Sequence, residues 1–260
     1  MRSILVQAGQ DRQNSARLDT ALAITRATAG HLTLLIDTPL DAYVTTNPYG
    51  GTYVATHAME EALAADDALA NALEGKLAAG DVAFDVCKME GPVLDAMLAA
   101  AKLSDLIVIS RSCGFAGDLA IEADCPVLAL GDAPLAVPID TACIAWDGGL
   151  QCARALRSAA PLLASCSEVR VLTVNDGTKG EFPATDPLRY LAGHGIKAEL
   201  TELTKGNSVE TTLAAEVARL GASLLVMGAY SHTRLREFVF GGVTRYFLEL
   251  AAGPALLLAH

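Results

Sequence analysis

Short, unbroken runs of aliphatic residues recur in the same order in the two halves of this chain. The first half carries ILVQAG (4–9), HLTLLID (31–37), DLIVIS (105–110) and CPVLAL (125–130). The second carries CIAWDG (143–148), EVRVLTVND (168–176), SLLVMG (223–228) and GPALLL (253–258). Continuous Ile/Val/Leu runs of this length mark strands covered on both faces, as in a parallel sheet. Between them lie segments of helical period, such as RLDTALAITRATAG (17–30) and ARALRSAAPLLAS (153–165). In VETTLAAEVARLG (209–221), Val209, Leu213, Val217 and Leu220 fall on one helical face and Gly221 offers a stop. Strand alternating with helix gives right-handed crossovers and a doubly wound α/β sheet. The expected fold is two tandem flavodoxin-like or Rossmann-like parallel-sheet domains.

The two prolines of APLAVPID (133–140) interrupt any regular element and place a boundary there, with one unit over 1–136 and the other over 139–260. The halves differ in two places. The stretch 228–254 is longer than its counterpart 110–126, and the first half has an expanded middle at 41–80. That middle reads as a polar Gly/Pro loop followed by an alanine-rich helix.

A length of 260 residues suits two such units, and 52% apolar residues can fill two cores. Only 5% of residues are aromatic, so Ala, Leu and Val must do the filling. A net charge of −11 opposes nucleic-acid binding and docking on anionic membranes. No 18-residue apolar span appears, and MRSILVQAGQD reads as a first strand rather than a leader, which points to a cytoplasmic protein. The six cysteines show no C-x-x-C pair or zinc-ligand spacing and read as small core hydrophobes, with Cys113 the lesser candidate for a redox role. The five histidines are scattered, so no metal site is expected.

The chemistry concentrates in GAYSHTRLREFVFGGVTRYFLE (228–249). Gly228, Gly241 and Gly242 permit close backbone approach, and VTRYFLELA begins a helix whose first N–H groups lack an intrahelical acceptor and attract anions. Ser231 and Thr244 offer hydroxyls, while Arg234 and Arg236 offer charge or simply face water. Taken alone, these glycines are as readily plain turn residues. In an open α/β sheet, ligands bind beyond the carboxyl ends of the strands where the winding reverses. With a 2-1-3-4-5 strand order, the ends of CIAWD and SLLVMG share that crevice, so Asp147 would meet a base or ribose while the glycine loop meets phosphates.

The two-half layout, Asp147 at a strand end, and G-x2-S-x9-G-G-V-T followed by a helix and GPALLL resemble a tandem member of the universal stress protein family. The resemblance covers essentially the whole chain, strongly over 139–260 and weakly over 1–138. It implies a stress-response regulatory protein with a site for an adenine nucleotide, usually ATP, and leaves open whether Mg²⁺ accompanies it. The residues implied are Asp147, Val174, Gly228, Ser231, Gly241, Gly242, Val243 and Thr244, with Met227 and Ala145 as weaker members. Nucleotide-binding relatives typically carry G-x2-G-x9-G-[S/T]. Ser231 replaces a glycine, and Gly242 removes a hydroxyl worth about 1.5–3 kcal/mol if it met a charged group. Thr244 is expected to compensate in part.

The first half departs further: Gly9 stands in the place of the aspartate, SRSC (110–113) replaces G-x2-G, and the loop is absent. It is expected to hold no nucleotide in this manner but to pair with the second half as a pseudo-dimer, CPVLAL against GPALLL, since both are too apolar to lie bare at an edge. A homodimer is left open. No nucleophile elbow, Walker motif or paired-carboxylate motif is present, so at most slow ATP hydrolysis is expected. The competing reading is a scaffold that binds no nucleotide and keeps a relic loop. An enzyme acting through Cys113 or His232 has least support.

Overall fold

The computed structural model describes residues 1–46, 52–177, 182–230 and 242–260. In the first half the elements are β1 (Ser3–Ala8), α1 (Asn14–Thr28), β2 (His31–Thr38), β3 (Val44–Thr46), β4 (Thr52–Val54), α2 (Thr56–Leu77), β5 (Ala83–Glu90), α3 (Val93–Ala100), β6 (Leu106–Ser110), α4 (Ala116–Glu122) and β7 (Val127–Leu130). The second half follows with β8 (Thr141–Ala145), α5 (Leu150–Leu163), β9 (Glu168–Asn175), α6 (Asp186–Gly193), β10 (Glu199–Thr204), α7 (Val209–Arg219), β11 (Leu224–Gly228), α8 (Gly242–Glu249) and β12 (Ala255–Ala259). Every aliphatic run singled out from sequence forms a strand. The expanded middle differs from the expected loop: β-branched and aromatic residues flank it, and β3 pairs antiparallel with β4 through Val44↔Val54 and Thr45↔Tyr53.

The main strands form one ten-stranded sheet in the order β10-β9-β8-β11-β12-β7-β6-β1-β2-β5. Each half therefore runs 3-2-1-4-5 in its own strands, not 2-1-3-4-5. Two successive crossovers step outward from β8 to β10, and α7 then carries the chain back across to β11. The reversal still falls between the first and fourth strands of each half, so the crevice keeps its expected place. Two strands of the main sheet escape the sequence pattern, β5 and β10. Both are sheet edges with mixed exposure, and charged side chains cover them, including Lys88 with Asp67 and Arg170 with Glu199. Charged edges resist pairing with other chains.

Two cores line the two faces. Leu18, Leu73, Leu156 and Leu191 bring α1, α2, α5 and α6 onto one. Met97, Leu119, Leu213 and Phe247 bring α3, α4, α7 and α8 onto the other. Along α7, Leu213 and Val217 are buried, Ser208 caps the first turn by accepting from the Thr211 N–H, and Gly221 leaves at φ +62°. Among the described residues no helix is long and apolar enough to cross a membrane.

The halves meet strand to strand. The last strands of the two halves, β7 and β12, pair antiparallel through Leu256↔Ala129, Leu257↔Leu128 and Leu258↔Val127, while every other main-sheet pairing is parallel. All six of these side chains are buried. Truncating Leu128 or Leu257 to Ala should cost about 2–5 kcal/mol each. Because the two positions pair directly, a double-mutant cycle read by urea unfolding should show a coupling of about 0.5 kcal/mol or more. Strict additivity would mean that the seam does not tie the halves.

Candidate functional site

In the second half, β8 and β11 lie side by side and parallel, with Ile144 opposite Val226. Both end at the carboxyl edge of the sheet, where a cavity of about 590 Å³ opens. Eight of the sequence candidates line it: Ala145, Asp147, Val174, Met227, Gly228, Gly242, Val243 and Thr244. Ser231 and Gly241 lie outside the described residues, as do His232, Arg234 and Arg236.

Each wall has a local cause. Asp147 is exposed just past β8, and its Oδ1 accepts from the Gly149 N–H at 2.8 Å, closing the turn that starts α5. Gly148 takes φ +74° within that turn, a conformation glycine adopts without steric cost. At Gly228, an added Cβ would stand 2.7 Å from the Cys152 backbone nitrogen and 2.8 Å from the Gln151 carbonyl carbon. Only a residue without a side chain lets α5 approach β11 this closely.

Thr244 is 3% exposed, and its hydroxyl donates to the Gly228 carbonyl and accepts from the Tyr230 N–H, both at 3.4 Å. The Thr244 hydroxyl thus sits between the ends of β11 and α8 while its residue lines the cavity.

Sequence reasoning missed the opposite wall. Phe182, Pro183 and Ala184 line the cavity because they sit against the end of β8. The Phe182 N–H donates to the Gly148 carbonyl at 3.0 Å, and Trp146 Nε1 donates to the Phe182 carbonyl at 3.4 Å. Asp176 adds a second carboxylate to the lining. The glycines and prolines of 176–187 are a loop signal, but contact of Phe182 with Gly148 and Trp146 has no local signature. The lining among the described residues thus holds two carboxylates and no cationic side chain. Cys152 also reaches the cavity; burial pushes its thiol up to about 12, which keeps it protonated and unreactive.

The first half fills the equivalent crevice with its own ion pair. Strand register sets Gly9 opposite the role of Asp147 and Ser110 opposite that of Gly228. Arg17, only 2% exposed, donates from Nε to the Gln7 carbonyl at 2.7 Å, from Nη1 to Ser110 Oγ at 2.5 Å, and to both Asp11 carboxylate oxygens at 3.0 and 2.5 Å. A Cβ on Gly9 would stand 3.0 Å from Asp11 Oδ2. The guanidinium bridges the ends of β1 and β6, where the second half has open space. Cys113 is half-buried and burial raises its pKa, which opposes the thiolate a redox sensor needs. Among the described residues no cluster of three His, Cys, Asp or Glu is placed to hold a metal.

Two solved structures share this architecture over nearly their whole length. A universal stress protein from Archaeoglobus fulgidus DSM 4304 matches at TM-score 0.73 and 12% identity, covering 98% of this chain and 97% of its own. A protein of unknown function from Pseudomonas aeruginosa PAO1 matches at TM-score 0.62 and 17% identity, covering 100% of this chain and 92% of its own. The chain has the fold of tandem universal stress proteins. A shorter structure, a universal stress protein in complex with cAMP, matches 47% of this chain and 97% of its own at TM-score 0.37 and 17% identity. No family model matches the sequence, and no curated protein matches it.

Two outcomes follow. Hydrogen bonds from Arg17 hold the Asp11 carboxylate below its ordinary pKa. The stabilisation it gives is therefore complete above the carboxylate's unfolded pKa and is lost as pH falls through the lower folded value. Asp11→Ala should cost about 2 kcal/mol near neutrality, less than a fully buried pair because Asp11 is half exposed. The gap between variant and native urea midpoints should begin to narrow only once pH falls below about 4, the unfolded carboxylate range; a gap independent of pH would contradict this. Gly228→Ala should cost about 1–3 kcal/mol by overpacking, measured as a lowered Tm.

Proposed function

We propose that the second half binds an adenine nucleotide, ATP foremost, in the cavity between β8, β9 and α8, and that the protein acts as a nucleotide-responsive regulator. The observation that carries this reading is convergence. Residues chosen from sequence at 145, 147, 174, 227–228 and 242–244 are far apart in the chain yet line one cavity at the reversal point of the sheet. Its volume of about 590 Å³ falls within the range of small-molecule sites, about 300–1,000 Å³.

The chemistry divides along the cavity. Apolar walls from Leu172, Val174 and Val209 suit a base, and Asp147 is an acceptor for ribose hydroxyls or a base amino group. Gly242, Val243 and Thr244 present the start of α8, whose first N–H groups and positive dipole end favour phosphate. Two carboxylates repel a polyphosphate; with Asp147 given to the ribose or base, Asp176 would hold the Mg²⁺ that offsets this charge. The bound ion would supply charge neutralisation, while the chain itself supplies the base pocket and the helix start. No side chain in the described lining is set up as a nucleophile.

The single tryptophan, Trp146, lines the cavity and reports on it directly. Titrating ATP should change its fluorescence, with affinity falling about tenfold or more when Mg²⁺ is chelated, whereas adenosine binding should be indifferent to Mg²⁺. Asp147→Ala should weaken adenosine and ATP alike by about tenfold, and Val174→Trp should abolish both by filling the cavity. No signal or heat for the native chain at about millimolar ligand, well above the weakest affinities expected of a specific site, would favour the scaffold reading instead.

A further inference from the structure

The helix that would receive the phosphates is held from the other half of the molecule. Arg111, just past β6, is 8% exposed and donates from Nη1 to the carbonyls of Phe247 (3.1 Å) and Leu250 (3.3 Å) and from Nη2 to that of Gly253 (3.3 Å). These carbonyls belong to the last turn of α8 and the chain leaving it, the negative end of that helix. The slot for the guanidinium is built from glycines of both halves. A Cβ on Gly131 would stand 3.0 Å from Nη2, and one on Gly253 would stand 3.3 Å from Nη1.

A second contact acts at the other end of the same wall. Tyr230 follows β11 with φ +54°, which is costly for a residue with a side chain, and its N–H meets Thr244 Oγ1. Its phenol lies on Gly117 in the first turn of α4, so close that a Cβ there would fall 2.2 Å from the hydroxyl oxygen. The segment 111–117 of the first half thus grips both the neck of the loop and the far end of α8, a helix about 12 Å long whose near end lines the cavity.

We propose that Arg111 and Gly117 are positioning residues for the second-half cavity: the half that has filled its own crevice sets the wall of its neighbour's. The effect on nucleotide affinity rests on the binding reading above; the effect on α8 does not. The mechanism is steric and electrostatic. With Arg111 in place, the axis of α8 and the height of Gly242–Thr244 relative to Gly228 are fixed before any ligand arrives, so less ordering remains at binding. Without it, three carbonyls at the helix end lose a charged donor and the helix is free to shift along the sheet.

The experiment is hydrogen exchange on the ligand-free full chain together with Trp146 titrations, on native protein and on Arg111→Met, Arg111→Lys and Gly117→Leu. In Arg111→Met, amides of 243–249 should exchange about tenfold faster, matching the loss of hydrogen bonds to a charged group, while those of β8 and β9 stay as in the native chain. Affinity should fall more for ATP than for adenosine, because α8 faces the phosphate end, and Arg111→Lys should restore part of both. Gly117→Leu should reproduce the ATP loss by displacing Tyr230, and it carries the test if Arg111→Met does not fold. Unchanged exchange in 243–249 for both Arg111→Met and Gly117→Leu would overturn the proposal, as would native ATP affinity in both. A native chain that binds no nucleotide would remove the cavity reading alone; the exchange result would still decide whether 111–117 holds α8.

Discussion

The antiparallel ladder between β7 and β12 is the constraint on which the other features rest. Each half ends in a strand so apolar that exposing it would leave unpaired backbone groups beside a bare hydrophobic face. Pairing Leu257 with Leu128 removes both liabilities at once and makes one ten-stranded sheet of two five-stranded ones. Because the strands run antiparallel there, the two crevices open toward opposite ends of the sheet, yet α4 and α8 pack beside each other on one face. That adjacency lets a residue after β6 reach the carbonyls at the end of α8.

The halves have divided the work. In the first, Arg17 satisfies its buried charge on Asp11, Ser110 and a backbone carbonyl, and so closes its crevice with groups the chain already carries. In the second, Gly228 and Phe182–Ala184 keep the corresponding space open and walled. The same topology thus yields one crevice closed by side chains and one left open by them, through a few residues near two strand ends. A buried guanidinium without partners would be prohibitively costly, which is why Asp11 and Gly9 belong with Arg17.

Much of this was legible in the sequence, and the reasons for the gaps are physical. Strands covered on both faces, such as Leu106–Ser110 and Leu224–Gly228, betray themselves as aliphatic runs. The edge strands β5 and β10 do not, because Asp85, Lys88, Glu199 and Glu202 belong on a solvated rim. Strand order was not readable either, since a crossover of given length reaches a neighbour on either side. For the site, Asp147, Gly228 and Gly242 were legible because strand ends and glycine spacing are local signals. Asp176 and Phe182 were not: Phe182 is held by its N–H donating to the Gly148 carbonyl and by its own carbonyl accepting from Trp146, both distant in sequence. Thr244 was legible as a cavity residue, but its burial and its contacts with Gly228 and Tyr230 were not, because they depend on how β11 and α8 meet.

The central claim, that an adenine nucleotide occupies the second-half cavity, is tested most directly by photolabelling the full chain with 8-azido-ATP and mapping the modified peptides by mass spectrometry. Label confined to 143–149, 172–176, 182–184 or 242–249, and lost when unmodified ATP competes, is the result this account predicts. Label on the first half, or label that ATP fails to displace, would contradict it.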